Sequence, residues 1–299
     1  MGKNLTRKQV EEALGWEVER LPIQLADGTA IESHYANARM LDDNRHILGV
    51  VGKGYRVIQN SELLDIAEAI RKKHKLKFTS AGVVGDGERV YFQCSGNSFF
   101  VGDGDEVTPY MLFINAHDGS LACRMNPMTE RIECENQLGN IMQDRQSYVS
   151  IRHAGDVQSK LEEAGRLGSH FLNVCDANRK AMLKLRKKQV TSRKMADFFQ
   201  KMYVQQIREV TINPEDRSED LARNRADIAF QKYKQRFEKE APLAGTTAWN
   251  MANAYTGWRQ HDHRADKDPE RSKQRRRHSA LFGIQAQRSV EAFQAAMTV

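Results

Sequence analysis

The sequence predicts an α+β fold: an N-terminal antiparallel sheet with hairpins and packed helices, followed by a mostly α-helical basic C-terminal region. In the first half, two pairs of apolar segments are each joined through an Asp-Gly turn, which is a strong hairpin signal. In the second half, apolar residues recur at helical spacing and prolines separate the runs. We therefore predict a sheet domain over residues 1–155 and a helical basic region over residues 156–299.

The first half begins with a predicted short helix, because Thr6 and Gln9 have the spacing of a capping box. A second helix is predicted to begin at Asn60 and Ser61, where Leu63 and Ile70 share one face with neighbouring apolar residues. The predicted hairpin strands are 77–84 with 89–95, and 109–115 with 120–125. The pattern then becomes helical over 131–145 and strand-like over 147–153.

The second half is predicted to consist of helices. A long helix covers 156–188, a stretch that contains no proline. Four further helices are predicted over 191–203, 216–240, 246–261 and 279–297. The biased segment 264–277 is predicted to be a loop.

Charge is distributed unevenly between the two halves. Residues 1–150 hold 17 Lys and Arg against 21 Asp and Glu, whereas residues 151–299 hold 29 against 18. The halves therefore carry −4 and +11, which together give the net charge of +7. A strongly basic half indicates a polyanionic partner, of which nucleic acid is the commonest.

The composition of the chain predicts where in the cell the protein is located. The longest apolar runs are much shorter than the roughly 20 residues that span a bilayer, so no contact with a membrane is expected. The basic segment 1–8 lacks the apolar stretch of a secretory signal, so export is not expected. Four cysteines without CxxC spacing fit a reducing cytoplasm. We predict a cytoplasmic protein.

Two basic clusters are the candidate nucleic-acid contacts. The first lies at the end of the long predicted helix and in the turn beyond it, and the second lies in the loop near the C-terminus. The predicted phosphate contacts in these clusters are Lys180, Lys184, Lys187, Lys188, Arg193, Arg275, Arg276 and Arg277. A solvated helix face that complements the helix dipole explains the first cluster equally well.

Two more arginines and two tyrosines complete the candidate site. Arg131 and Arg152 lie in or beside apolar segments, where a structural ion pair is the alternative to a phosphate contact. Tyr203 and Tyr233 are candidates to stack on bases, although aromatic residues at helical spacing usually belong to the core. A basic groove with aromatic platforms binds single strands without reading their sequence.

Residues that suggest catalysis or metal binding have simpler interpretations. The segment His117-Asp118-Gly119-Ser120 contains acid–base residue types, but its position favours a hairpin turn. His261 and His263 lie two residues apart, a spacing that points them in different directions on a helix. We therefore predict no enzyme activity, no metal and no cofactor.

Several motifs occur together in a characteristic order. They are GKGYRVIQN at 52–60, INAHDGSLACR at 114–124, RIECENQL at 131–138, SIRHAGDV at 150–157, AWNMANAYTGWRQHDHR at 248–264 and HSALFGIQAQ at 278–287. In these motifs the chain resembles the phage/plasmid-like protein family that carries domain of unknown function 932. The resemblance covers nearly the whole chain and implies a bacteriophage, plasmid or other mobile-element context, but no defined activity.

The resemblance and the charge pattern together suggest a function in recombination. By fold-level analogy, a sheet with a helix on one face is similar to single-strand annealing proteins. We therefore expect a homo-oligomer that binds single-stranded DNA and promotes strand annealing. The alternative is a protein-interaction module that inhibits a host defence system through its acidic half. A third hypothesis, a metal-dependent nuclease, would require a group of converging carboxylates that the sequence does not bring together.

Overall fold

The structure is a computed structural model, and it describes residues 4–131, 136–138, 149–167, 171–207, 218–262 and 284–299. It confirms the predicted fold class, because an N-terminal antiparallel sheet region is followed by helices. The chain forms two compact units. Unit 1 comprises Met1–Asn97, Pro109–Met128 and Asp144–Val174, and unit 2 comprises Ser98–Thr108, Thr129–Gln143 and Cys175–Val299.

Two antiparallel sheets lie in the N-terminal half. The smaller one has the order β1-β2-β3, formed by β1 (Glu19–Gln24), β2 (Ala30–Leu41) and β3 (Asn44–Gly52). The main path of the larger sheet is β10-β8-β7-β5-β4. Its strands are β4 (Lys77–Val84), β5 (Arg89–Ser95), β7 (Glu106–Ala116), β8 (Cys123–Arg131) and β10 (Val149–Ile151), with β6 (Phe99–Phe100) beside β7 and β9 (Asn136–Leu138) beside β8.

Three helices accompany the sheets of unit 1, namely α1 (Arg7–Leu14), α2 (Asn60–His74) and α3 (Val157–Leu167). The capping box of Thr6 and Gln9 is present at the start of α1, as predicted. The N-cap of α2 is Gln59 rather than Asn60, and Gln59 forms a capping box with Glu62. The apolar face of α2 is buried, as its helical spacing predicted.

Both predicted hairpins are confirmed, because β4 pairs with β5 and β7 neighbours β8. The predicted closing strand is also present as β10. The helix predicted over 131–145 is wrong where the structure describes it, since residues 136–138 form β9 and pair with the end of β8. Backbone pairing with an existing strand outweighs the local helical pattern there. Residues 132–135 and 139–145 lie outside the described residues.

Unit 2 is built around helices. They are α4 (Phe171–Lys187), whose first turn belongs to unit 1, α5 (Ser192–Ile207), α6 (Ser218–Ala244), α7 (Ala248–Gly257) and α8 (Ile284–Thr298). A π-helical turn, Trp258–Asp262, continues α7. Every residue of α7 is buried, so this helix forms the centre of the unit. The Trp249 indole Nε1 donates a hydrogen bond to Asp105 Oδ2 at 2.7 Å, and both groups are buried.

The units are interleaved along the sequence. The chain passes from one unit to the other within β7, within β8 and within α4, as well as between Asn97 and Ser98 and between Gln143 and Asp144. The sequence predicted a single boundary after residue 155, whereas segments 98–108 and 129–143 of the first half belong to unit 2. Local patterns identify helices and strands but not the unit in which a strand ends.

Candidate nucleic-acid interface

Helix α4 has one buried face and one basic face. Residues Cys175, Met182 and Leu185 are buried at spacings that place them on the same side. Lys180, Lys184 and Lys187 lie on the opposite side and are exposed. Because α-helices rise 1.5 Å per residue, these three lysines follow each other over about 10 Å of the helix axis.

The basic face of α4 is barely neutralised. The helix contains five Lys and Arg but a single acidic residue, Asp176. Asp176 pairs with Lys180 at 2.7 Å, and the Lys180 side chain is still 76% exposed. Lys184 and Lys187 form no ion pair with any residue that the structure describes. A face that served only as a solvated surface would normally carry both signs of charge, as α6 does with six Lys and Arg against five Asp and Glu.

The start of α5, which follows α4 closely in the sequence, is also basic. Thr191 Oγ1 accepts a hydrogen bond from the Lys194 backbone N–H at 3.3 Å and so caps the helix. Arg193 and Lys194 lie in the first turn, are exposed, and have no acidic residue beside them in that turn. Cations are disfavoured at the positive end of a helix dipole, so helix stability does not explain these residues. We define Lys180, Lys184, Lys187 and Arg193 as the basic surface.

Lys188 has a structural partner on another helix, unlike the residues of the basic surface. It is half-buried, and its Nζ donates a hydrogen bond to the carbonyl oxygen of Met297 at 2.6 Å, in the last turn of α8. Lys194 Nζ similarly reaches the carbonyl oxygen of Val299 at 3.3 Å. Cations at the last carbonyls of a helix stabilise its C-terminal end. Anchoring of α8 therefore accounts for Lys188 without a phosphate.

Arg186, which lies between the lysines of α4, also has structural partners. Its guanidinium donates to the carbonyl oxygens of Leu243 and Ala244 at the end of α6. Because this arginine is half-buried and bound to a helix end, we leave it out of the basic surface.

The two predicted stacking tyrosines belong to the core. Tyr233 has no exposed surface, and its hydroxyl donates to the Met251 carbonyl oxygen at 3.3 Å. Tyr203 is half-buried and stacks on Phe199 with ring centroids 5.2 Å apart. A buried ring offers no face to a base, so the stacking prediction for Tyr233 is wrong. Both rings lie at helical spacings that pack the core of unit 2.

An exposed aromatic residue that the sequence did not single out lies close to α4. The guanidinium of Arg179 is positioned over the ring of Phe99, 5.6 Å from its centroid, which brings β6 against α4. The next residue, Phe100, is 58% exposed. Adjacent residues of a strand point to opposite faces, so Phe100 points away from the core against which Phe99 packs. Phe100 is thus an exposed aromatic platform one residue from the α4 contact.

The remaining predicted arginines are Arg131, Arg152 and Arg275 to Arg277. Arg152 directly follows β10 in unit 1, is exposed, and forms no ion pair with a described residue. Arg131 is the last residue of β8 and pairs through its backbone with Asn136. Arg275, Arg276 and Arg277 fall within 263–283, outside the described residues.

The segment 117–120 forms the predicted turn. Asp118 Oδ1 accepts a hydrogen bond from the Ser120 backbone N–H at 2.9 Å, and Gly119 has a positive φ of 75°. His117 itself is fully buried, which the turn pattern did not indicate. Across the described ranges, no three His, Cys, Asp or Glu side chains are placed to hold a metal ion. None of the helices in those ranges combines the length and apolarity that crossing a bilayer requires.

Together these features define an α+β protein whose helical unit carries a basic surface with little acidic compensation. Residues 47–282 match the family described as Domain of unknown function (DUF932), so the chain belongs to that family. This confirms the family resemblance drawn from the ordered motifs. No curated protein and no solved structure matches the chain.

Proposed function

We propose that this protein binds single-stranded nucleic acid on the basic surface. The observation that carries the proposal is that Lys184, Lys187 and Arg193 are exposed and unpaired with any described acid. Arg193 adds weight, because its place in the first turn of α5 is unfavourable for the helix itself. An anionic ligand compensates for that placement.

The geometry of α4 suits a nucleic-acid strand that is bound through its phosphate backbone. Side chains at positions 180, 184 and 187 form a line of cations about one helix turn apart, which follows successive phosphates without reading bases. Phe100 supplies an exposed ring on which a base can stack. This combination favours a single strand over a duplex, whose bases already stack on each other.

In this proposal the protein works in the cytoplasm of a host of phages or plasmids, as a homo-oligomer that presents one bound strand to another for annealing. Annealing requires neither a catalytic group nor a nucleotide cofactor. It requires that the backbone be held and that the bases remain accessible to a complementary strand. A line of phosphate contacts meets both requirements.

The alternative role as an inhibitor of a host system depends on exposed acidic surface. One acidic run in the first half of the chain is Asp103 to Glu106. Within that run Asp105 is fully buried and accepts the hydrogen bond from the Trp249 indole. This carboxylate is therefore used in packing unit 2, and the acidic run does not favour a partner-binding role.

Binding to a fluorescent single-stranded oligonucleotide tests the proposal, with a duplex of the same sequence and an RNA strand as comparisons. We expect single-strand-preferring affinity that falls steeply as salt is raised, because bound cations displace counterions from the strand. Absence of binding at low salt would exclude the proposal. Capture of one host protein by a chain that binds no nucleic acid would instead support the inhibitor role.

A further inference from the structure

Unit 1 carries a dense group of cations at the end of helix α2. The segment 71–77 contains five Lys and Arg in seven residues, and no Asp or Glu occurs between Glu68 and Asp86. Four of these cations have exposed side chains, and we define them as the lysine cluster: Lys72, Lys73, Lys75 and Lys77. The segment lies wholly in unit 1, so the cluster shares no residue with the basic surface of unit 2.

The backbone at the end of α2 brings the cluster together. The Leu76 N–H donates a hydrogen bond to the Arg71 carbonyl oxygen at 2.9 Å, and the Lys75 N–H donates to the Lys72 carbonyl oxygen at 3.5 Å. These two hydrogen bonds form a Schellman motif, in which the chain turns back around the last turn of the helix. The lysines on both sides of the turn therefore lie around one helix end.

Ion pairs within the chain leave most of the cluster uncompensated. The Glu68 carboxylate accepts from Arg71 at 2.7 Å and lies 3.4 Å from Lys72, whose side chain is still 71% exposed. The three other lysines of the cluster form no ion pair with any residue that the structure describes. Burial and the positive charge of Lys73 together lower the pKa of His74, the last residue of α2. The field at this helix end is therefore positive.

Helix stability accounts for only part of the cluster. Cations in the last turn of a helix interact favourably with its dipole, which explains Lys72 and Lys73. The effect is limited to the last turn, whereas Lys75 follows the helix and Lys77 is the first residue of β4. These two lysines need another explanation.

Lys75 occupies a position that normally belongs to glycine. Its φ of 55° and ψ of 37° are left-handed, a conformation that is unfavourable for an L-residue and that glycine adopts freely. The other non-glycine residues with a positive φ in the described ranges are Asp42 and Asp43, a residue type that tolerates this conformation. The ammonium group of Lys75 is exposed and has no described ion pair that offsets the unfavourable backbone. This combination indicates a contact with a ligand.

We propose that the lysine cluster is a second contact for the phosphate backbone of nucleic acid. The inference rests on the proposed function for the identity of the polyanion, but it does not depend on the basic surface. Lysine ammonium groups bind phosphates as point charges, so the cluster holds a strand without reading its bases. The apolar residues that alternate with the lysines, Leu76 and Phe78, are buried and present no side chain for insertion into a membrane. Each unit then has its own contact with a strand.

Removal of two unpaired lysines tests this contact in the full chain. Lys73→Gln and Lys77→Gln are combined, and binding of a fluorescent single-stranded oligonucleotide is measured by anisotropy across salt concentrations. Loss of two phosphate contacts should make the slope of log K against log salt less steep by about 1.4 and should lower the affinity about tenfold or more at low salt.

The matched control combines Lys53→Gln with Lys160→Gln. These are also exposed lysines of unit 1 without a described ion pair, so the control changes the net charge equally. An unchanged slope in the Lys73 and Lys77 variant would overturn the proposal. An equal change of slope in the control would overturn it as well, because net charge would then explain the effect.

Lys75→Gly separates a binding role from a structural one. Glycine relieves the left-handed conformation, so the melting temperature should rise by about 2 °C. Affinity for the oligonucleotide should fall about threefold or more at low salt, because one phosphate contact is lost. A lysine that served only the fold would not give these opposite changes. Unchanged affinity in this variant would contradict the assignment of Lys75.

The same changes in a second background distinguish this inference from the proposed function. In a chain with Lys184→Ala, Lys187→Ala and Arg193→Ala, we expect residual binding at low salt that Lys73→Gln and Lys77→Gln remove. If only the α4–α5 changes affect binding, the proposed function is supported and the second contact is excluded. Binding to phosphatidylserine vesicles that requires the cluster, with unchanged oligonucleotide affinity, would also exclude it and would assign the cluster to a membrane.

Discussion

Neutralising the basic surface provides a quantitative test of the proposed function. The variant combines Lys184→Ala, Lys187→Ala and Arg193→Ala, three exposed positions without a described ion pair. None of the three side chains is buried, so each change should alter the free energy of unfolding by at most about 0.5 kcal/mol. The change in binding can then be attributed to charge.

The size of the effect follows from counterion release. For a single strand, the slope of log K against log salt is about −0.7 for each phosphate that is neutralised. Loss of three contacts should therefore make the slope less steep by about 2. At low salt the affinity should fall substantially, and at high salt the variant and the unmodified protein should converge.

Fluorescence anisotropy with a labelled oligonucleotide measures this slope across a range of salt concentrations. A matched control removes the same charges from α6, where acidic and basic residues are balanced. The control combines Arg225→Ala, Lys232→Ala and Lys239→Ala, all exposed positions. It changes the net charge equally, so it separates a local contact from the overall field of the protein.

Two results would refute this reasoning. An unchanged slope in the α4–α5 variant would remove those side chains from the nucleic-acid contact. An equal loss of slope in the α6 control would show that net charge, rather than the basic surface, determines binding.

Three other predictions concern separate parts of the molecule. Phe100→Ala should weaken single-strand binding by about 1–3 kcal/mol, the contribution of one stacked base, without a change in thermal stability; full retention of affinity would exclude the ring as a platform. Asp105→Ala should lower the free energy of unfolding by about 1–3 kcal/mol in urea, because it leaves a buried indole N–H unpaired, whereas the exposed Asp103→Ala should not. Burial lowers the pKa of His117 from its ordinary value of 6.5 to about 3 in the folded protein. As the pH falls below about 6.5, the histidine is therefore protonated in the unfolded chain but not in the folded one, and the free energy of unfolding decreases. This group should contribute a loss of about 2 kcal/mol between pH 7 and pH 5, a pH dependence that His117→Gln should reduce and that the exposed His34→Gln should retain.

The elements that depend on local chemistry were predictable from the sequence. Asp-Gly turns identified both hairpins, and helical spacing identified the apolar face of α2. Strand β9 was missed because its pairing with the end of β8 is a backbone interaction that no side-chain pattern records. The same limit applies to the division into units, which depends on where strands end in space.

The candidate sites differ in how far the sequence revealed them. Lys180, Lys184 and Lys187 were visible because their spacing alone places them on one helix face. Tyr233 has the same kind of spacing but faces inward, and composition could not distinguish the two orientations. The lysine cluster was not singled out, because its lysines surround a helix end that the sequence marks with Lys75 rather than with the usual glycine.

The interleaving of the two units also bears on how such a gene can be inherited. Exchange of coding sequence at residue 155 would separate the sheet-rich part of the chain from the helical part. It would in fact replace Asp105 independently of Trp249, which lies in the other half and donates to it. The protein encoded by such a recombinant gene would contain segments of unit 2 from two different parent proteins. A gene joined at that point therefore encodes a unit 2 whose two buried partners come from different parents.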